Sequence, residues 1–511
     1  MTAPRNILLI TIDQWRADAL GAAGNARIRT PNLDALAADG VLFTQHYAQA
    51  SPCGPSRASL LTGLYQHNTG ALRNGTPMDS RLTNIALEAR KAGYEPTLFG
   101  YTDTTSDPRG LSPDDPALRS YESILRGFAV GRWVGDVPHP WLAHLAAKGY
   151  AFADDLDEVY APDAPPASRT RPSALPARFT AEDSITAFLT DEVLAHIGVH
   201  RREKWFVHAT YIKPHPPFIA PAPWNSAYTP AGMPQRHCAP SAAEEARQHP
   251  LLAHYIEAIQ RPKYFASLPG RVSDMDDADF AQIRATYYGL VSEVDAEIGR
   301  LIAKLKDWGL YESTLIVITS DHGEMLGDHW MLGKEGYFDS AYHVPLILRD
   351  PATPPDARGG RVASFTESID LMPTVLEWLG REVPPACDGA SLMAFLRGET
   401  PAGWRDSAHW EFDFRGPDEG SAERRLGLPM AACGLAVQRS RRWKYVHFAG
   451  LPPLLFDLAA DPHELDNLAS KPDYAQILLE QAQTLLSWRM STDYRELRGM
   501  LATPQGLLLR R

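Results

Sequence analysis

The chain has 511 residues, 44% of them apolar and 22% charged, and a net charge of −12. Its length allows a large core and a second domain, and its balance of residues is that of a globular protein in water. The acidic surplus argues against a general nucleic-acid or anionic-membrane surface while leaving room for one basic pocket.

In chain order, the first apolar run, Ile7 to Ile12, reads as a strand buried on both faces and ends at Asp13. It is too short for a signal-peptide core, and no run reaches membrane-spanning length, so the cytoplasm is the expected compartment. "TPNLDALAADGVLFTQHYA" reads as a helix stopped by Gly40 and followed by a strand, and "ALEARKAGYEPTLFGY" repeats that order. Between them, "SPCGPSRASLLTGLY" places Pro55 at a first helical position, helix over Ser56 to Thr62 and a stop at Gly63. "WFVHATY" and "TLIVITS" are further buried strands, and Ile283, Leu290, Val294, Ile298 and Leu305 keep one helical face between them. Residues 155–180 and 213–250, rich in Pro, read as long surface loops. Beyond about residue 375 the strands shorten ("GLAVQRS", "WKYVHFA", "PPLLFDL") and one helix follows near 473–490. Strands alternating with helices predict an α/β fold with a mostly parallel central sheet over residues 1–375, and a smaller domain on an antiparallel sheet over 376–511.

Ligands of such sheets bind beyond the carboxyl ends of the strands, where Asp13, Tyr101, Lys213 and Asp321 fall. One Asp after a strand is ordinarily a helix cap. Two, each followed by a further ligand type (Gln14 and His322), fit a divalent metal: three oxygens and an imidazole suit Mn²⁺ first, with Ca²⁺, Fe²⁺ or Zn²⁺ as alternatives. Cys53, at the mouth of a helix, is either a buried structural cysteine or a group facing an anion at the positive end of the dipole. Arg57, one turn on, reaches toward the same anion. His215, in the stiff "KPHPPF" loop, is either a packed loop residue or a site residue, and Lys213 and Arg16 read as solvated surface. Cys53, Cys238, Cys387 and Cys433 have no metal-type spacing and form no disulfide framework.

Together these motifs resemble the sulfatase family of the alkaline phosphatase superfamily. "CGPSRASLLTG" is similar to the first sulfatase signature, "GYEPTLFGY" and "DHGEMLGDHWMLGK" to the second signature and metal segment, and "VPLILRDP", "SIDLMPTVLEWLG", "CDGASL" and "LLFDLAADPHELDNLA" to later landmarks. The resemblance runs from about residue 5 to 470. "DQWRAD", "KPHPPF" and the tail "TPQGLLLRR" resemble most the phosphonate monoester hydrolase and arylsulfatase branch. It implies an alkaline-phosphatase-like fold and a hydrolase acting on phosphonate monoesters, phosphodiesters and sulfate monoesters. The alternatives are a strict arylsulfatase and a non-catalytic binding protein of the same fold.

The resemblance further implies that a formylglycine-generating enzyme oxidises Cys53 to an aldehyde, whose hydrate supplies the attacking hydroxyl. One divalent ion would be held by Asp13, Gln14, Asp321, His322 and residue 53. Arg57 and Lys334 would stabilise charge, His215 would contact the transferred group or protonate the leaving oxygen, and Asn74 and Thr104 would add hydrogen bonds. Many members carry Lys and His two residues apart after the Gly100 strand. Tyr101 and Asp103 stand there instead, and Asp103, where a neutral Thr is expected, would bear on substrate charge. The partners implied are a small anionic ester and, because the leucine-rich tail would expose apolar surface, further copies of the chain as a dimer or tetramer. No nucleic-acid or membrane partner is expected.

Overall fold

The structure is a computed structural model describing residues 5–152, 156–163, 172, 174–265, 268–416, 421–493 and 500–509. Eight strands build the main sheet: β1 (Asn6–Ile12), β2 (Val41–Phe43), β3 (Pro96–Gly100), β4 (Ala129–Trp133), β5 (Phe206–Tyr211), β6 (Thr314–Ser320), β7 (Leu346–Arg349) and β8 (Gly360–Val362). Their order is β8-β2-β7-β6-β1-β5-β3-β4, and only β7 runs against its neighbours. β1, β5 and β6 are buried at every position, as their near-continuous apolar sequences require of strands covered on both faces.

Register places the site. Ile12 stands opposite both Tyr211 and Ser320, so Asp13 and Asp321 leave adjacent strands side by side. β3 joins the same edge next to β5, and Gly100 ends it at φ +110°; a Cβ there would lie 2.6 Å from the Thr210 carbonyl oxygen. The backbone therefore passes close to β5 before turning Tyr101 toward Asp13.

Helices cover both faces. Pro31–Asp39, Ile185–Val199 and the 31-residue Asp277–Asp307 lie in one core cluster, and Ile85–Lys91, Leu371–Trp378 and the Cys53–Thr62 helix in another. The long helix is started by a capping box between Asp276 and Asp279. The helix at "CGPSRASLLT" begins two residues earlier than the sequence indicates. Pro52 is its N-cap and Cys53 its first residue, while Gly63 ends it in the left-handed conformation as expected.

A second sheet comprises Leu454–Asp457, Trp443–Phe448, Gly434–Ser440 and Ser407–Asp413, all antiparallel. Sequence patterning misses Ser407–Asp413, which also pairs in parallel with the two-residue strand Ala50–Ser51. The C-terminal sheet is thus stitched to the segment that leads into Cys53. The stretch 155–180 lies partly outside the described residues; 213–250 is loop punctuated by short helical turns, as expected. Among the described residues, no helix is long and apolar enough to cross a membrane.

Candidate active site

Asp13, Cys53, Asp321 and His322 converge at the carboxyl edge of β1 and β6, with one potential ligand atom from each lying within 4.8 Å of the others. All four are buried, and His322 Nε2 is 3.2 Å from Cys53 Sγ. The other ring nitrogen, Nδ1, meets the Gly323 carbonyl oxygen at 3.0 Å. A carbonyl only accepts, so Nδ1 carries the hydrogen and Nε2 keeps its lone pair toward the cluster, the arrangement a metal-binding histidine needs. Burial and Lys334 lower His322 to about 3, which keeps the ring neutral.

Gln14 joins the cluster through its amide oxygen, which accepts from Lys334 Nζ at 2.9 Å, and Lys334 Nζ also stands 3.1 Å from Cys53 Sγ. Gln14 sits at φ 67°, a strained left-handed conformation for a non-glycine residue, and is held there on both sides. Its backbone N–H donates to Asp321 Oδ1, and its side-chain amide nitrogen donates to Glu324. Glu324, inside "DHGEMLGD", has no role that its motif indicates. It is fully buried, its other oxygen accepts from the Leu326 and Gly333 backbone, and burial raises it to about 7. Its position three residues beyond Asp321 was the only signal available.

Arg57 bridges the two carboxylates, with Nη2 3.0 Å from Asp13 Oδ2 and 2.9 Å from Asp321 Oδ2. Tyr101 donates its phenolic hydrogen to the same Asp13 oxygen, and its ring lies 4.1 Å from the Arg57 guanidinium carbon. Burial would raise Asp13, but His215, Lys334 and Arg57 hold it below the usual carboxylate range. Burial and the Asp13 charge push Asp321 up to about 7. Arg57 and Lys334 both face the two carboxylates, yet burial still pushes Asp321 toward its protonated form. Acidic oxygens, a neutral amide oxygen and a neutral imidazole gathered in one buried cluster are a donor set that fits a divalent ion.

The helix N-terminus is less open than the sequence implies. Asn74 Oδ1 takes the Gly54 N–H at 2.9 Å, and a Cβ on Gly54 would lie 2.8 Å from the Asp103 carbonyl oxygen. Positive charge at position 53 is supplied by Lys334, 3.1 Å from Cys53 Sγ, while Arg57 is taken up by the two carboxylates. Burial lowers Lys334, but Cys53, Asp13 and Asp321 outweigh it and keep the ammonium charged. Burial, then Asp13, pushes the Cys53 thiol well above its ordinary value.

His215 stands within electrostatic reach of Lys334 and Asp13. Its Nδ1 is 2.7 Å from the Pro216 carbonyl oxygen, and burial followed by Lys334 lowers it to about 3. With Nδ1 taken by that carbonyl, Nε2 is the nitrogen left to contact a transferred group, and an anion beside it raises its proton affinity. Lys213 is not solvated surface: it is 4% exposed, and its Nζ donates to the His215 and Pro217 carbonyls at 2.9 Å, tying the loop that carries the histidine. Arg16 is also buried, paired with Asp328 at 2.8 Å, while Arg284 holds the other Asp328 oxygen at 2.7 Å.

Asp103 turns inward, with Oδ2 3.8 Å from Arg57 Nε, and has the left-handed φ of 50°. Burial, opposed by Arg57, raises it to about 8, which favours its neutral form at pH 7 and bears on the effect on substrate charge that the sequence implied. Thr104 is not brought into the cluster. Its hydroxyl donates to the Ser123 carbonyl at 3.0 Å and meets the Thr102 hydroxyl at 3.1 Å.

Comparison with known proteins agrees with this geometry. Residues 5–381 match the family model Sulfatase, and residues 327–491 match the C-terminal region of N-sulphoglucosamine sulphohydrolase. The chain is 41% identical to the multifunctional alkaline phosphatase superfamily protein PehA of Trinickia caryophylli, covering 99% of each. Among solved structures it is similar to a phosphonate monoester hydrolase of Agrobacterium radiobacter, at 46% identity and TM-score 0.96, covering 99% of this chain and 100% of that one. It is also similar to the phosphonate monoester hydrolase SpPMH of Silicibacter pomeroyi, at 43% identity and TM-score 0.94, covering 99% of each. With these matches spanning a fold whose strand ends gather Asp13, Cys53, Asp321 and His322, the chain belongs to the sulfatase family of the alkaline phosphatase superfamily, a family of ester-bond hydrolases.

Proposed function

We propose that this chain is a metal-dependent hydrolase whose nucleophile is residue 53 after oxidation of Cys53 to formylglycine. Its substrates would be phosphonate monoesters, phosphodiesters and sulfate monoesters. The observation that carries the reading is the packing of Cys53 Sγ against His322 Nε2 and Lys334 Nζ, within the Asp13–Asp321 cluster. A buried thiol whose pKa is raised is a weak nucleophile, so this position calls for different chemistry from a free cysteine.

Asp13, Gln14, Asp321 and His322 would hold one divalent ion, Mn²⁺ in preference to Ca²⁺ because an imidazole and a neutral amide share the set. When bound, the ion and the aldehyde hydrate together supply an acidified hydroxyl and charge for the transferred group. Lys334, fixed between Gln14 Oε1 and position 53, stabilises negative charge on the attacking and transferred oxygens. Arg57 fixes both carboxylates, and Tyr101 fixes the outer oxygen of Asp13. Glu324 orients Gln14 so that its oxygen, not its nitrogen, faces the cluster. Lys213 sets the loop from which His215 reaches the transferred group.

The test is a kinetic panel of aryl phosphonate monoester, phosphodiester, sulfate and phosphate monoester on metal-loaded, converted enzyme. The monoanionic esters are expected to exceed the phosphate monoester in kcat/KM by about tenfold or more; a dominant phosphate monoesterase activity would overturn the substrate assignment. Asp103 adds a pH signature. Its folded value of about 8 means that it is neutral at pH 6 and ionised at pH 9. Asp103→Asn should therefore match the wild-type monoester-to-diester ratio at pH 6 and exceed it about fivefold at pH 9. Equal ratios at both pH values would remove Asp103 from charge selection.

We further propose that the chain assembles through its C-terminal end. Leu479, Leu486 and Met490 form an exposed stripe on the helix Ala475–Thr492, and Leu501, Leu507 and Leu508 are exposed on the hairpin Met500–Thr503/Gly506–Leu509. A dimer or tetramer is expected by light scattering, falling to monomer when residues 500–511 are removed. A monomeric full-length chain refutes it.

A further inference from the structure

A cavity of about 550 Å³ lies beside position 53 and has no part in the chemistry above. Its walls include Ser51 and Pro52, which immediately precede Cys53, Asn74, which holds the Gly54 N–H, and Glu335, which follows Lys334. The far wall is aromatic, from Tyr255, Phe412 and Phe414.

The cations on the wall are not equivalent. Lys263 is paired with Glu335 and Arg415 with Asp413, each at 2.7 Å. Arg73 is half-buried, and among the described residues no carboxylate pairs with it and its side chain makes one long hydrogen bond, 3.4 Å, from Nη1 to the Arg415 carbonyl. His254 is 8% exposed, and its Nδ1 has no hydrogen-bond partner. A sheltered guanidinium with no carboxylate partner among the described residues, beside an imidazole nitrogen without a hydrogen bond and aromatic side chains, is a receptor for a planar group that carries an anion.

We propose that this cavity binds the organic substituent of the ester and that Arg73 recognises a second negative charge on it. Preferred substrates are then aryl or similarly flat esters bearing a carboxylate or another anionic group. The assignment rests on the hydrolase reading above and extends it from the transferred group to the rest of the substrate.

The experiment compares bis(4-nitrophenyl) phosphate with bis(3-carboxy-4-nitrophenyl) phosphate, a pair in which both substituents change together. For each enzyme, the ratio of kcat/KM for the carboxylate-bearing ester over its parent is measured, so that intrinsic reactivity cancels between variants. Arg73→Gln should lower that ratio about tenfold relative to wild type, the factor expected for loss of one charged hydrogen bond, and Arg73→Lys should recover part of it. Wild type that turns over the parent but has the same ratio as Arg73→Gln overturns the subsite alone. Absence of turnover of either ester by converted, metal-loaded wild type overturns the hydrolase reading and the subsite with it.

Discussion

Cys53→Ala is expected to lower kcat/KM by at least about 10³-fold on every ester the wild type accepts, and the Cys53 peptide of active enzyme is expected to have the mass of an aldehyde rather than a thiol. The reason is local. Position 53 is the point where His322 Nε2 at 3.2 Å and Lys334 Nζ at 3.1 Å meet. Alanine keeps the helix and the cluster but removes the atom they surround, so folding should survive while chemistry does not. Fully active enzyme with an unmodified thiol would remove formylglycine from the reading and leave the fold assignment standing.

Chelation of the divalent ion is expected to cost at least about 10²-fold in turnover, more than the loss of an outer partner of a metal site. Mn²⁺ should restore activity at least as well as Ca²⁺. Stability gives a second readout. In the ion-free protein Asp321 stands at about 7, raised by burial and by Asp13. The folded chain then holds this proton more tightly than the unfolded chain, so the contribution of Asp321 to stability declines as pH climbs from about 4 to about 7, against the rising contribution of His215 and His322, and the difference between ion-free and ion-loaded profiles isolates the site. Asp13, held low, contributes stability that is lost only as pH falls through the ordinary carboxylate value of 3.8, outside that window. Tm measured from pH 5 to 8 should therefore show a gain from Mn²⁺ that grows as pH rises to about 7, because the ion replaces the proton on Asp321. Parallel profiles with and without the ion would show that no metal binds at Asp321.

Asp13, Asp321 and His322 were legible in the sequence because each follows a buried strand directly, and the parallel register of β1 and β6 turns that adjacency into contact. The C-terminal sheet was legible in three strands and missed in the fourth, since Ser407–Asp413 takes one partner, Ala50–Ser51, from the other end of the chain. Long-range pairing also explains the misread charges. Arg16 is buried because Asp328 lies across the site, and Lys213 because two carbonyls of its own loop fold back onto it. Glu324 had no periodic signal at all: its role appears only when Gln14 is seen to need an acceptor for its amide nitrogen. The ionisation of Asp103 could not be read from residue type, because it depends on how completely the surrounding chain excludes water.

The pairing of Ala50–Ser51 with Ser407–Asp413 also sets a schedule. Cys53 is 5% exposed in the folded protein, and every residue of its helix is buried, so the oxidation proposed for it is expected to precede closure of this sheet. During synthesis the closing strand emerges about 360 residues after the motif, which at the usual 5–20 residues per second leaves a window of roughly 20–70 s. On the formylglycine reading proposed above, conversion then competes with folding, and a host that elongates faster than it oxidises is expected to accumulate folded chain with an unconverted thiol.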